Sequence, residues 1–374
     1  MKTKIFAALA CALAIPAAAF AALPTNVVFA AEATPQRVEM LIDEYYLSDL
    51  EAVKNRTAGS TGELAMAQKL SGFMGAMNFD YFAAQTSYLQ SLDISKTHTS
   101  QNVVGVLDNG AENYVILGAH YDCIYKDASF GYSDNLSGIV GLMATAEILQ
   151  DYGAHNLIFA FWGAEEVGCL GSEYFVKNLP DEIKEKTLLY INFDSIGAGD
   201  YRYYYTNDFQ TTYGAKVDKI FLSQDVKKYH NRLYSNATTN GVNYTTLGMQ
   251  SDNASFLKAG INSLNFFAGN LSTNSGLGFF ETANHPRIMH NTDTKTTIDE
   301  VFGQAHFAQN IAAFSNLAAL ILSDAQFTAE TFAPGQINPS LYSDVTLKIA
   351  GVIFVVLGFG AYMLVYFLKY KKSK

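Results

Sequence analysis

The chain has 374 residues, 49% of them hydrophobic, which is enough apolar side chain for a large buried core and excludes a disordered sequence. Acidic residues outnumber basic ones 35 to 25, and a net charge of -10 excludes a nucleic-acid groove and suits an ordinary acidic surface. No basic cluster lies outside the two termini.

The amino terminus reads as a secretory signal, residues 1–30. Lys2 and Lys4 precede an apolar run from Ile5 to Ala22, and Ala19-Phe20-Ala21 and Val28-Phe29-Ala30 both offer the small-x-small pattern of a signal-peptidase site. The mature chain is expected to begin near Ala31. An uncleaved anchor is the alternative, and Pro16 and Pro24 within and after the run count against it.

From Gln36 to Ser323, short β-rich runs alternate with helix-like runs, the pattern of a single α/β domain (31–323) whose central mixed, largely parallel sheet is flanked by helices. Tyr114 to Gly118 is a buried strand, followed by a helix over Ser137 to Leu149. Asn156 to Phe161 is a second strand, Gly171 to Lys177 a helix and Leu188 to Phe193 a third strand. Each strand leads into a polar loop, where open α/β sheets place their active sites. Asp299 to Leu322 is expected to be one long final helix. Cys123 and Cys169 are the cysteines left after signal removal, and they admit either one disulfide or two free buried thiols.

Beyond this domain, Pro334, Gly335 and Pro339 mark a tether (324–347). Residues 348–368 are expected to be a transmembrane helix, because the run from Ile349 to Leu368 is uncharged and long enough to span a bilayer. Lys369, Lys371, Lys372 and Lys374 follow, so the positive-inside rule puts the tail (369–374) in the cytoplasm and the domain outside the cell. A glycolipid-exchanged tail is the rival, against which the lysine cluster stands.

Histidine or carboxylate occurs at five strand ends: His120 with Asp122, Asp134, Glu165 with Glu166, Asp194, and His290. Apolar strands that run straight into carboxylates are costly unless the charge is paired or metal-bound. His120 and Asp122, at i and i+2 of a strand, share a face, so Asp122 can hold the imidazole while its other nitrogen binds zinc. Asp134 stands at a helix start, where a helix N-cap is its ordinary role. Glu165 and Glu166 point different ways, so one can bind metal while the other carries protons; an acidic solvated loop is the plainer reading. Three carboxylates and a shared hydroxide would neutralise two zinc ions.

These residues lie within motifs that resemble the dizinc aminopeptidase family of aminopeptidase S, aminopeptidase Y and the bacterial leucyl aminopeptidases. The likeness runs from about Asn55 to Phe314 through Arg56-Thr57-Ala58-Gly59-Ser60, Asn102-Val103-Val104-Gly105, Gly118-Ala119-His120-Tyr121-Asp122 and Ser133-Asp134-Asn135. It continues through Glu165-Glu166-Val167-Gly168, Ile191-Asn192-Phe193-Asp194 and Ser251-Asp252-Asn253-Ala254-Ser255-Phe256.

The resemblance implies a zinc-exopeptidase fold, two zinc ions and a peptide substrate. It makes Asp134 the bridging ligand, with His120 and Asp194 completing one metal site and Glu166 and His290 the other. Glu165 is then the general base, passing a proton from the attacking water to the leaving amine, with Asp122 behind His120. The spacing after His290 is one residue shorter than the family pattern, which keeps His285 as a weaker ligand. Ser133 replaces an acid, and Tyr244 is the nearest tyrosine to a position that assists the oxyanion in some relatives. Two other functions fit the same fold: a single-zinc acyltransferase of the glutaminyl cyclase type, and a receptor-like surface domain without catalysis. The single tryptophan, Trp162, and Met289 before His290 favour hydrolysis over cyclisation, and the complete ligand set argues against an inert domain.

Overall fold

The computed structural model describes residues 32–125, 130–206, 212–228, 238–239, 242–243, 251–270, 292–324 and 327. The signal segment, the tether apart from Asp324 and Phe327, the 348–368 span, His285, His290 and Tyr244 all lie outside the described residues.

The strands are β1 (Asp80–Tyr81), β2 (Leu89–Asp93), β3 (Thr99–Leu107), β4 (Tyr114–His120), β5 (Asn156–Trp162), β6 (Thr187–Phe193), β7 (Tyr201–Thr206), β8 (Lys227–Lys228), β9 (Thr238–Thr239), β10 (Val242–Asn243) and β11 (Ser263–Gly269). The helices are α1 (Pro35–Tyr45), α2 (Leu50–Val53), α3 (Thr61–Ala76), α4 (Leu136–Ile148), α5 (Leu170–Lys177), α6 (Asp181–Lys186), α7 (Thr212–Phe221), α8 (Asn253–Lys258), α9 (Lys295–Val301) and α10 (Gln304–Ser323).

One nine-stranded sheet runs β1-β3-β5-β4-β6-β11-β7-β8, with β2 also on β3. Its centre, β5-β4-β6-β11, is parallel, whereas β3 joins β5 and β7 joins β11 in antiparallel register. The central strands are buried on both faces, as helices above and below a parallel sheet require. Alternation within them sorts the two faces. Val115, Leu117, Ala119, Leu157, Phe159 and Phe161 point into a large core with α1, α3, α4 and α10. Ile116, Ile158, Ala160, Trp162 and Tyr190 point into a smaller one with Phe175 of α5 and Phe256 of α8.

The expected single helix over Asp299 to Leu322 is instead two, α9 and α10, broken at Gly303 with φ +78. That left-handed backbone is open to glycine at little cost and ends the first helix. By length and composition α10 is apolar enough to cross a membrane, but 67% of its apolar window is buried, and it packs on α1 and α4 as a core helix. Cys123 and Cys169 are both free thiols, Cys123 buried and Cys169 partly so.

Candidate metal centre

Strand order decides where the chemistry meets. β5, β4 and β6 are parallel neighbours, so the loops after their carboxyl ends open at the same edge. His120 ends β4 opposite Trp162 of β5, three residues before Glu165, while Gly118 pairs with Asn192, two before Asp194.

Three of the expected ligands converge. Donor atoms of His120, Asp134 and Asp194 all lie within 4.8 Å of one another. His120 Nε2 is 3.2 Å from Asp134 Oδ1 and 3.5 Å from Asp194 Oδ1. Asp134 is free for this because the helix-capping role that was its alternative falls to Asn135, whose side chain accepts from Gly138 N at 2.9 Å. The Asn135 amide also donates to the carbonyls of Phe193 at 2.9 Å and His120 at 3.2 Å, tying the ends of β6 and β4 to the start of α4.

Asp122 does more than the shared face implies. His120 Nδ1 lies 3.3 Å from the Asp122 carbonyl oxygen and 3.6 Å from its Oδ1. The carboxylate itself accepts the backbone N–H of Glu165 at 2.9 Å and of Glu166 at 3.1 Å. Glu166 in turn accepts Ile124 N at 3.3 Å, and Glu165 accepts the Cys169 thiol at 3.4 Å.

The electrostatics suit a cation. Burial pushes Glu165 well above the carboxylate range, with Asp252 and Asp194 adding to it and His120 opposing. Burial and then Asp134 do the same to Glu166. Burial also disfavours a charged imidazole at His120, yet Glu165, Asp122, Asp134 and Asp194 together hold its pKa well above normal. Asp194 ends below its ordinary value: burial opposes ionisation, but His120, Ser251 and Ser195 outweigh it. Among the described residues neither carboxylate oxygen of wholly buried Asp252 has a partner in good hydrogen-bond geometry, and burial raises its pKa to about 7 although His120 and the Ser172 side chain favour its ionised form. Such a concentration of carboxylates around one histidine exceeds what the nearby protein groups neutralise, and carboxylate with imidazole is a donor set zinc accepts. The residues present fit the metal.

Several supporting residues carry no isolated signal in the sequence. Glu63, three residues after the α3 N-cap Ser60, accepts Gly59 N at 2.6 Å, Ser100 Oγ at 2.6 Å and Ala164 N at 3.2 Å, joining α3 to the turn before Glu165. Its place in a Ser-x-x-Glu capping pattern was the readable clue. Asp293 receives Ser133 N and Asp134 N, each at 2.7 Å. Trp162 is no pocket wall: it is buried, and its indole donates to Tyr190 Oη at 2.9 Å, which donates to Asn192 Oδ1 at 2.7 Å.

A model of peptidase family M28 matches residues 102–315, more than half of the chain. The chain belongs to peptidase family M28. The resemblance read from the motifs is therefore borne out. Leupeptin-inactivating enzyme 1 of Streptomyces exfoliatus is 32% identical to this M28 chain over 269 residues, 69% of the chain and 55% of the relative. Leucine aminopeptidase 2 of Trichophyton rubrum is 40% identical over 112 residues, 29% of the chain and 22% of the relative. The matches thus span only part of these M28 relatives' lengths. Among solved structures, a zinc aminopeptidase of Bacillus subtilis aligns over 81% of this chain and 98% of its own, with a TM-score of 0.57 at 15% identity, a likeness of fold.

Proposed function

We propose that this M28 chain is a zinc exopeptidase that removes residues from the amino end of peptides, held outside the cell by a carboxyl-terminal membrane helix. The observation that carries the reading is the convergence of His120, Asp134 and Asp194 beside Glu165 at one edge of the sheet. Two zinc ions would be held by these residues: Asp134 would be shared, with His120 and Asp194 completing one set of ligands and Glu166 and His290 the other.

Bound zinc would supply Lewis acidity toward the scissile carbonyl and toward the attacking water. The protein's own residues do the rest. Glu165 sits on a turn fixed by Asp122 beside the ligand cluster, where its carboxylate can take a proton from water and return it to the leaving amine. The membrane assignment rests on the uncharged run Ile349 to Leu368 and the lysines after it.

Metal analysis of the full-length chain, paired with a panel of aminoacyl reporters with and without chelator, tests this reading. It predicts zinc, chelator-sensitive release of the reporter and restoration on adding zinc back. One zinc per chain with cyclisation of amino-terminal glutamine would instead indicate an acyltransferase, and a metal-free inert chain a receptor-like domain.

A further inference from the structure

The segment from Tyr121 to Asp134 joins β4 to α4 and carries or flanks three of the site residues, and its described residues, 121–125 and 130–134, lie outside helix and strand. Two buried groups of opposite charge grip it. Arg56, with no exposed surface, donates from Nε to Tyr121 O at 2.7 Å, from Nη1 to Phe130 O at 3.0 Å and from Nη2 to Gly131 O at 2.9 Å. Its carbonyl accepts Cys123 N at 3.2 Å. The guanidinium therefore joins residue 121 to residues 130 and 131, and the backbone of the same arginine holds residue 123. Gly131 allows this approach: its φ is +58, and a Cβ there would lie 2.5 Å from Cys123 Cβ and 3.1 Å from Arg56 Nη2.

Asp293, also without exposed surface, holds the other end. Its two carboxylate oxygens accept Ser133 N and Asp134 N, and its carbonyl accepts Phe130 N at 3.1 Å. Both charges are far from solvent, so neither is a surface ion, and hydrogen bonds to charged groups are stronger than neutral ones.

We propose that Arg56 and Asp293 are positioning residues of the metal centre, a buried cation and anion that set the Asp134 carboxylate against His120 and Asp194 before any ion arrives. The inference rests on Asp134 being the shared ligand. A preformed site binds metal without the ordering cost a slack loop would add. Lysine at position 56 keeps the charge but cannot fork to three carbonyls. Asparagine at position 293 keeps the size but presents an N–H₂ group where the backbone N–H needs an acceptor.

The test uses the full-length chain and its R56K, D293N and D134A variants, stripped of metal and titrated with zinc against a chromophoric chelator, with cobalt absorption as a second readout. R56K and D293N are expected to bind zinc about 10–100-fold more weakly and to alter the cobalt spectrum, the scale seen when groups behind metal ligands are changed. Wild-type zinc affinity and an unchanged cobalt spectrum in both variants, whatever their melting temperature, would overturn the proposal. Hydrogen exchange on stripped wild-type protein decides the matter even where a variant does not fold. Slow exchange at Ser133 and Asp134 without metal supports it, and exchange that slows only after zinc is added refutes it. If D134A keeps full zinc, the bridging assignment itself fails and this inference falls with it.

Discussion

The Asp122 carboxylate accepts the backbone N–H of Glu165 at 2.9 Å, with its second oxygen on the N–H of Glu166 at 3.1 Å. One residue after β4 thereby fixes the turn after β5 that presents both glutamates. Replacing it with asparagine leaves one acceptor and turns the other toward repulsion. D122N is expected to lower kcat by about 10–100-fold with a smaller change in KM, because the base is misplaced and the substrate is not. Steady-state kinetics on the zinc-loaded protein check this; kcat within about twofold of wild type would remove Asp122 from the account.

Adjacent Glu165 and Glu166 are assigned different work. Glu165→Gln removes the basic oxygen but keeps size, so zinc content should stay near normal while turnover falls about a hundredfold or more. Glu166→Gln should lose metal instead. Zinc content and turnover measured on the same preparations separate the two roles, and equal zinc loss in both variants would contradict the division.

Asp134 faces His120, and Asn135 takes the helix cap in its place. Asp134→Ala should release both ions together, whereas His120→Ala or His290→Ala should weaken mainly one. Zinc stoichiometry after dialysis reads the difference directly. Loss of zinc in His285→Ala but not in His290→Ala would move the final ligand to His285.

Away from the metal centre, burial pushes His155 down to about 4 from its ordinary 6.5, and Tyr152 Oη contacts its Nδ1 at 2.5 Å. As pH falls below about 6.5 the unfolded chain takes up the proton first, so this histidine's contribution is present above that pH and lost as pH falls toward 4. The loss amounts to about 3 kcal/mol for a shift of this size. His155→Gln should flatten the fall in unfolding free energy between pH 7 and pH 4.5, measured by urea titration. A slope equal to wild type would show that His155 is not a source of acid sensitivity.

The central strands were legible in the sequence because parallel strands covered on both faces are apolar nearly throughout, as in β4, β5 and β6. Their carboxyl ends then located His120, Glu165 and Asp194 by topology. The break between α9 and α10 was not legible, since a lone glycine inside a helical pattern is compatible with continuation until its φ of +78 is seen. Arg56 and Asp293 were equally opaque as positioning groups. A buried charge reads like an exposed one until its partners come from residues 65 to 160 positions away, as Tyr121 O and Ser133 N do. For Asp122 the strand period put the carboxylate near the imidazole, but two turn N–H groups, invisible to periodicity, are the donors it accepts from.

The most direct measurement of the central claim is mass spectrometry of one peptide and its amino-terminally acetylated twin after exposure to the full-length chain, with zinc or with chelator. The account predicts that the free peptide shortens one residue at a time from its amino end with zinc, and that the acetylated twin and the chelated sample stay intact. Shortening from the carboxyl end, shortening of the acetylated twin, ammonia loss without shortening, or an unchanged free peptide in the zinc-loaded sample would contradict it.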